Sequence, residues 1–125
     1  MKKNIFYHDT DCGSVVYYAN YLKYFEEART EFFAQKGLSI KDLSERGVLF
    51  VVARQEIDYK FPAFYADTLE IKTRISEVGA AKIVFEHETF NQDNQLLNKA
   101  KTVLVCVDDR LKPQSLPEDI RARIF

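Results

Sequence analysis

The chain has 125 residues, and its 18 basic and 19 acidic side chains leave a formal net charge of −1. That length corresponds to one domain over residues 1–125, which can bury a core without disulfides or a metal. The missing basic excess argues against nucleic-acid binding through bulk charge, and a composition of 46% hydrophobic and 30% charged residues is typical of a folded globular protein.

The cellular compartment is predicted from segments that the sequence lacks. The first residues, Met1–Ile5, contain two lysines but no apolar run after them, so they do not predict a signal peptide. No window approaches the roughly 18 consecutive apolar residues of a membrane span. Cys12 and Cys106 are far apart in the sequence and lack metal-ligand spacing. Two free thiols fit a reducing environment, so we expect a cytoplasmic protein without membrane insertion.

A long amphipathic helix is predicted in the N-terminal part of the chain. A short first strand is expected over residues 3–8, followed by a polar turn at 9–14, where Asp, Gly and Ser favour loops. From 19 to 36 the hydrophobic pattern is helical. Its apolar residues recur at i, i+4, i+7 and i+11: Tyr21, Phe25, Ala28 and Phe32.

The end of this helix and a second, short helix are marked by local signals. Gly37 stands where helices commonly end in a left-handed residue. Ser39 begins a stretch that resembles a capping box, and Gly47 is expected to end the short helix.

From Val48 onward the hydrophobic period is two, which predicts strands. The alternation is clearest over residues 69–76 and 83–89, and a turn at 91–94 leads into a last strand over 95–107. Consecutive strands with short connections predict an antiparallel sheet and an α+β fold. A single helix covers only one face of a sheet, so we expect a curved sheet wrapped around it, with its edges paired between subunits.

The tail after Asp108 contains two prolines and is expected to be partly loose.

Two carboxylates precede the long helix and are candidates for chemistry. Asp9 and Asp11 stand in the loop that enters the helix near Tyr17–Asn20. Free N–H groups and the positive end of the dipole at a helix start can hold an oxyanion. A nearby carboxylate can then act as a nucleophile or as a general base for water. Asp before a helix is also a common cap or turn residue; we predict that structural role for Asp9.

The whole segment around these carboxylates resembles a known motif. Residues 7–22 read YHDTDCGSVVYYANYL, and they are followed by Phe25-Glu26 and by Ala28-Arg29-Thr30-Glu31. This string closely resembles the N-terminal motif of the hydroxybenzoyl-CoA thioesterase superfamily, specifically of the YbgC-type acyl-CoA thioesterases. The resemblance continues more loosely to about residue 108 and includes the segment Tyr59–Ala63.

The resemblance implies a hotdog fold, an acyl-CoA substrate, and hydrolysis without a metal or redox cofactor. It also implies a homo-oligomer, a dimer or a dimer of dimers, with active sites at the dimer interface. It places the catalytic carboxylate on Asp11, a neighbouring site tyrosine on Tyr7, and the carbonyl-polarising backbone N–H on Tyr18. Gly13 and Val16 of the same loop are expected to contact the substrate.

Two positions depart from the pattern of the YbgC-type members. They usually have His where this chain has Tyr18, whereas the hydroxybenzoyl-CoA type has Tyr there. Ser14 replaces the second small residue of a glycine pair. Coenzyme A also brings phosphates, which need cations at the rim of the site. The candidates are Lys82, Lys60 and Arg54.

Other interpretations remain open at this point. The Asp-x-Asp pair is also found in metal-dependent phosphatases of the haloacid-dehalogenase kind, but Gly13 stands where they have Thr or Val, and no parallel βαβ pattern is present. Cys12 could act as a nucleophile with His8 or His87, although no recognisable feature of the sequence marks its thiol as reactive. His87 is expected to be a packed or interface residue.

The same fold could also serve a different function. A non-catalytic module that binds acyl-CoA or acyl-carrier protein is the main alternative, and hydration of an enoyl thioester is a weaker one. On α-helical spacing, Glu26 and Arg29 are expected to form an ordinary i, i+3 ion pair or to pack against the active-site loop.

Overall fold

Five strands and three α-helices make up the part of the chain described in a computed structural model, residues 1–124. A 3₁₀ turn at Tyr7–Asp9 precedes the first helix. The elements in chain order are β1 (Lys2–Asn4), α1 (Asn20–Gln35), α2 (Ile40–Glu45), β2 (Leu49–Tyr59), β3 (Thr68–Val78), β4 (Lys82–Phe90), β5 (Leu96–Val107) and α3 (Glu118–Ile124).

The strands form one antiparallel sheet in the order β1–β3–β4–β5–β2. Strand β3 pairs with β4, and β4 pairs with β5, each as a hairpin. The other edge of β5 pairs with β2. Three pairings contain a register shift, which increases local twist and bends the strands. The shifts lie between Val52 and Arg54, between Ile75 and Glu77, and between Thr89 and Phe90.

Helix α1 lies in the concave face of the curled sheet. Phe25 is fully buried, and its ring stacks on the His87 ring of β4 at a centroid distance of 4.6 Å. Phe33, two turns later, packs edge-on against Phe85 at 5.6 Å. The sheet therefore wraps around the helix, which confirms the predicted α+β hotdog architecture.

The predicted helix ends are confirmed by backbone geometry. Gly37 and Gly47 have φ of 76° and 77°, a region that side chains with a Cβ disfavour. The Ser39 hydroxyl accepts a hydrogen bond from the Asp42 N–H at 3.2 Å and so caps α2.

Two predictions about local structure were wrong. The first strand spans only residues 2–4, because the chain turns into the 3₁₀ turn at Tyr7. The tail after Asp108 is not loose, because Leu116, Ile120 and Ile124 are buried in the core. Pro113 and Pro117 interrupt the hydrophobic pattern of the sequence. Ile120 and Ile124 are nevertheless spaced four apart and form the buried face of α3, and Leu116 is buried just before that helix.

Strand β2 is the edge of the sheet beside β5. It is 11 residues long and exposed through its middle, where Val52 keeps 52% of its surface accessible. Long apolar edge strands invite pairing with another chain.

None of the helices within residues 1–124 is both long and apolar enough to cross a bilayer.

Candidate active site

Asp11 lies at the tip of a short hairpin before α1. The Asp11 N–H donates to the Val15 carbonyl at 3.0 Å, and the Ser14 N–H donates to the Asp11 carbonyl at 3.0 Å. Ser14 adopts a φ of 65° at the turn. This left-handed position suits the small residue that the family motif has there.

The Asp11 carboxylate is exposed to solvent. Its Oδ1 accepts a hydrogen bond from the Gly13 N–H at 3.0 Å, a local turn contact that orients the side chain. An exposed, oriented carboxylate is able to take a proton from water or to attack a carbonyl carbon.

The hairpin is anchored at its base by Asp9. This carboxylate is only 6% exposed, and it accepts hydrogen bonds from the Phe6 N–H at 2.9 Å and from the Tyr24 hydroxyl at 2.7 Å. Burial alone would raise the pKa of Asp9, but these two hydrogen bonds and the neighbouring His8 and Lys3 side chains together outweigh it and hold that pKa below its ordinary value. Burial and the contact with Asp9 raise the pKa of Tyr24. The predicted structural role of Asp9 in holding the loop is confirmed, whereas the cap of α1 is not made by its side chain.

The backbone of Asp9 joins the hairpin to the start of α1. The Asp9 carbonyl accepts hydrogen bonds from the Tyr17 N–H at 3.0 Å and from the Asn20 Nδ2 at 2.8 Å. The Tyr18 N–H donates to no acceptor within residues 1–124. In the first turn of α1, the Asn20 N–H donates to the Tyr17 carbonyl at 2.9 Å and the Leu22 N–H donates to the Ala19 carbonyl at 3.2 Å. The Tyr18 N–H therefore lies just before the helix, at the positive end of its dipole.

A cavity of about 320 Å³ opens beside Tyr18. Its wall is largely aromatic, and the Tyr59 hydroxyl donates to the Tyr18 carbonyl at 3.0 Å. Burial raises the pKa of Tyr21 in this wall to about 12, so its phenol stays protonated. The lining residues are Val15, Val16, Tyr18, Tyr21, Tyr59, Lys60, Phe61 and Pro62. Aromatic rings with few polar groups are typical of a pocket for a small organic ligand.

The structure brings several of the predicted site residues together. Tyr18, Val16 and Lys60 line the cavity. Gly13 contacts the Asp11 carboxylate, and these two residues lie outside the cavity lining. Tyr7 is exposed at the base of the hairpin, with its ring edge-on to Tyr65 at a centroid distance of 5.8 Å.

Two of the predicted phosphate-binding cations lie away from this cavity. Arg54 is exposed on β2 and pairs with Glu56 at 2.5 Å. Lys82 pairs with Glu77 at 3.2 Å and stands opposite Val105 on β5. Lys60, which does line the cavity, donates its backbone N–H to the Leu97 carbonyl on β5. Leu97 and Val105 are about 26 Å apart along an extended strand, so Lys82 lies far from Lys60.

Other sequence-based expectations had mixed outcomes. Arg29 is 7% exposed and donates to the Thr102 hydroxyl at 3.4 Å, so it forms no helix-surface ion pair with Glu26. His87 is packed as expected, with its Nδ1 3.0 Å from the Thr73 hydroxyl. Cys12 is exposed and has no hydrogen bond to either histidine among residues 1–124.

Tyr24 and Asn20 are site residues that the pattern of the sequence missed. Tyr24 stands three residues after Tyr21, a spacing that could have predicted its burial. Nothing in the spacing indicates that its hydroxyl would reach Asp9, 15 residues earlier in the chain.

No group of three or more His, Cys, Asp or Glu side chains is arranged to hold a metal in the described part of the chain.

Comparisons with known proteins identify the family. Residues 7–124 match the model of the thioesterase-like superfamily. The chain is 40% identical over 119 residues to the acyl-CoA thioester hydrolase YbgC of Escherichia coli (94% of this chain, 89% of the relative). It is 40% identical over 124 residues to the acyl-CoA thioesterase YbgC of Haemophilus influenzae (94% and 88%).

The fold comparison agrees with the sequence relatives. A crystal structure of a hypothetical protein from Aquifex aeolicus superposes with a TM-score of 0.94 at 28% identity, covering 100% of this chain and 98% of that one. The chain therefore belongs to the thioesterase-like superfamily and is a hotdog-fold thioesterase of the YbgC type.

Proposed function

We propose that this single-domain chain hydrolyses acyl-CoA thioesters, with Asp11 as the catalytic carboxylate and the Tyr18 N–H as the carbonyl-polarising donor. The observation that carries the proposal is the exposed Asp11 carboxylate on a hairpin that is bonded to the first turn of α1. The YbgC relatives, named as acyl-CoA thioesterases, support the substrate class.

The proposed reaction begins with the thioester oxygen on the free Tyr18 N–H. Negative charge that develops on this oxygen is stabilised by the N–H group and by the helix dipole. Asp11 then follows one of two routes. As a general base it takes a proton from water, the hydroxide attacks the acyl carbon, and the tetrahedral intermediate expels the CoA thiolate. As a nucleophile it forms an anhydride and releases the thiolate, and water then hydrolyses the anhydride.

The remaining predicted residues have supporting roles in this proposal. Tyr7 borders the hairpin, and Gly13 orients Asp11. Val16 donates its N–H to the Ala63 carbonyl at 2.8 Å and so fixes one wall of the acyl cavity. Lys60 is the cation at the cavity that suits the phosphates of coenzyme A. Arg54 and Lys82 lie away from the cavity of their own chain, so they would contact coenzyme A only at the site of another subunit.

The activity is tested by measuring thiol release from a panel of acyl-CoAs, with linear acyl groups of increasing length and with aromatic ones. We expect steady release of free CoA from at least one member, at a rate that excess EDTA leaves unchanged, because the proposed groups need no resident cofactor.

The two free cysteines also suit a reducing cytoplasm.

Binding without CoA release across the panel would contradict hydrolysis and favour the non-catalytic binding module. Equilibrium binding of each acyl-CoA is therefore measured beside its turnover. Formation of a hydrated acyl-CoA from an enoyl-CoA would instead indicate hydratase chemistry.

We also propose that the chain forms a homodimer through the open edge of β2, with a dimer of dimers as the larger possible assembly. A β2 edge that pairs with its own copy satisfies the free N–H and C=O groups on both strands. It also covers the apolar Val52 side chain.

Val52→Lys is expected to shift the protein from a dimer or tetramer to a monomer, because two like charges would face each other across a two-fold strand pair. The measurement is sedimentation velocity at micromolar concentration. Leu111→Lys is the matched control, since Leu111 is also an exposed apolar residue but lies outside the sheet. Wild-type protein that sediments as a monomer would contradict the proposed assembly.

A further inference from the structure

Asp9 is a buried carboxylate that the proposed chemistry does not use directly. Burying a charged group is costly unless hydrogen bonds compensate, and Asp9 has two such bonds on its two oxygens. One comes from the Phe6 N–H before the 3₁₀ turn and the other from the Tyr24 hydroxyl on α1. The side chain thus ties the chain segment before the hairpin to the second turn of the helix.

The backbone of the same residue makes a second set of contacts. Its carbonyl accepts from the N–H of Tyr17, three residues before α1, and from the side chain of Asn20, the first residue of α1. Asp9 is therefore bonded to α1 at two points, through Asn20 and Tyr24, and to the segment just before it through Tyr17. Asp11 follows two residues after this junction, and the Tyr18 N–H follows one residue after Tyr17.

We infer that Asp9 is a positioning residue, which acts with Tyr24 to set the distance between the Asp11 carboxylate and the Tyr18 N–H. The inference rests on the proposed function, because it assigns these two groups to the same reacting thioester. A general base and an oxyanion donor must be held to about 0.5 Å of their productive positions, and a displacement of about 1 Å costs up to a hundredfold in rate. The hairpin that carries Asp11 is exposed at its tip, so its precision depends on the contacts at its base.

The primary test is Tyr24→Phe, which removes one hydroxyl and keeps the buried ring. We expect kcat to fall about tenfold while KM changes less than about twofold, because the variant misplaces the reacting groups without removing a substrate contact. Asp9→Asn is the companion variant. Its amide can still accept from Tyr24 but brings an NH₂ group against the Phe6 N–H, so we expect a fall in kcat of about ten- to a hundredfold.

Thr73→Val is the matched control for lost stability. It also removes one hydroxyl from the concave face, where Thr73 contacts His87 at 3.0 Å, but it lies far along β3 from the hairpin. Thermal melts of all variants are recorded, and rates are measured well below the lowest melting temperature. We expect Thr73→Val to keep its kcat within about twofold of wild type even where its melting temperature falls as much as that of Tyr24→Phe.

A double variant separates positioning from a general loss of structure. If Tyr24 acts by placing Asp11, Tyr24→Phe adds no further loss of kcat to Asp11→Asn, since the group to be positioned is already inactive. Additive losses in the double variant would overturn the inference.

The failure of the inference is distinguishable from the failure of the proposed function. If wild type releases CoA and Asp11→Asn does not, while Tyr24→Phe and Asp9→Asn both keep the wild-type kcat, the positioning role is wrong and the function stands. If wild type releases no CoA, both fall together.

Discussion

Asp11→Asn is expected to lower acyl-CoA hydrolysis at least about a hundredfold, in line with the loss of a positioned general base or nucleophile. The amide has the same size as the carboxylate, and its oxygen can still accept the 3.0 Å hydrogen bond from the Gly13 N–H. The hairpin should therefore keep its shape, and the variant should lose only basicity and nucleophilicity. The measurement is kcat/KM for the best substrate of the panel, with a melting curve to show that the fold is intact.

Asp93→Asn is the matched control for that substitution. Asp93 is also an exposed aspartate in a turn, between β4 and β5, and its known contact is made by its backbone N–H. We expect it to keep wild-type turnover. Near-normal turnover in Asp11→Asn would remove Asp11 from the mechanism, whatever the result of the control.

The second large effect expected is a loss of stability in mild acid, caused by His87. This residue is 1% exposed. Burial first, and then the nearby Arg29 charge, lower the pKa of His87 from 6.5 to about 3. Below pH 6.5, His87 therefore binds a proton in the unfolded chain but stays neutral in the folded chain. The free energy of unfolding is unaffected by His87 above pH 6.5. It falls by about 1.4 kcal/mol per pH unit below that value, which amounts to about 3 kcal/mol at pH 4.5.

Urea unfolding at pH 7.5 and at pH 4.5 measures this effect. His87→Phe is the control, because it keeps a flat ring that can stack on Phe25 but cannot take up a proton. The variant should lose less free energy of unfolding between the two pH values than wild type, whatever its absolute stability. Asp9 loses its own contribution only as the pH falls below its ordinary pKa of 3.8, which lies outside this window. Equal losses in wild type and variant would show that His87 does not control acid stability.

Much of the fold is predictable because it follows local periodicity. Alternation marks β3 to β5, since alternate residues along each of these strands are the more buried ones. Strand β2 also alternates in sequence, although it is exposed through its middle. The stripe from Tyr21 to Ala28 marks α1 for the same kind of reason. The tail was mispredicted because α3 has only seven residues, too short for its pattern to outweigh two nearby prolines.

The candidate site is only partly predictable from the sequence. Asp11 and Tyr18 belong to one contiguous motif, so the resemblance locates both. The Tyr24–Asp9 contact depends on how the helix lies against the 3₁₀ turn, which no local pattern encodes. The positions of the phosphate-binding cations are the least predictable part of the site. The sequence does not show whether a lysine such as Lys82 faces the cavity or pairs with Glu77 at the far end of the sheet.

A crystal structure of the Asp11→Asn variant with an intact acyl-CoA tests the central claim most directly. The account predicts the thioester oxygen about 2.7–3.1 Å from the Tyr18 nitrogen, and the side chain of residue 11 about 3–3.5 Å from the acyl carbon or one water away from it. A thioester bound with its carbonyl on other groups, and with its acyl carbon out of reach of residue 11, would contradict the account.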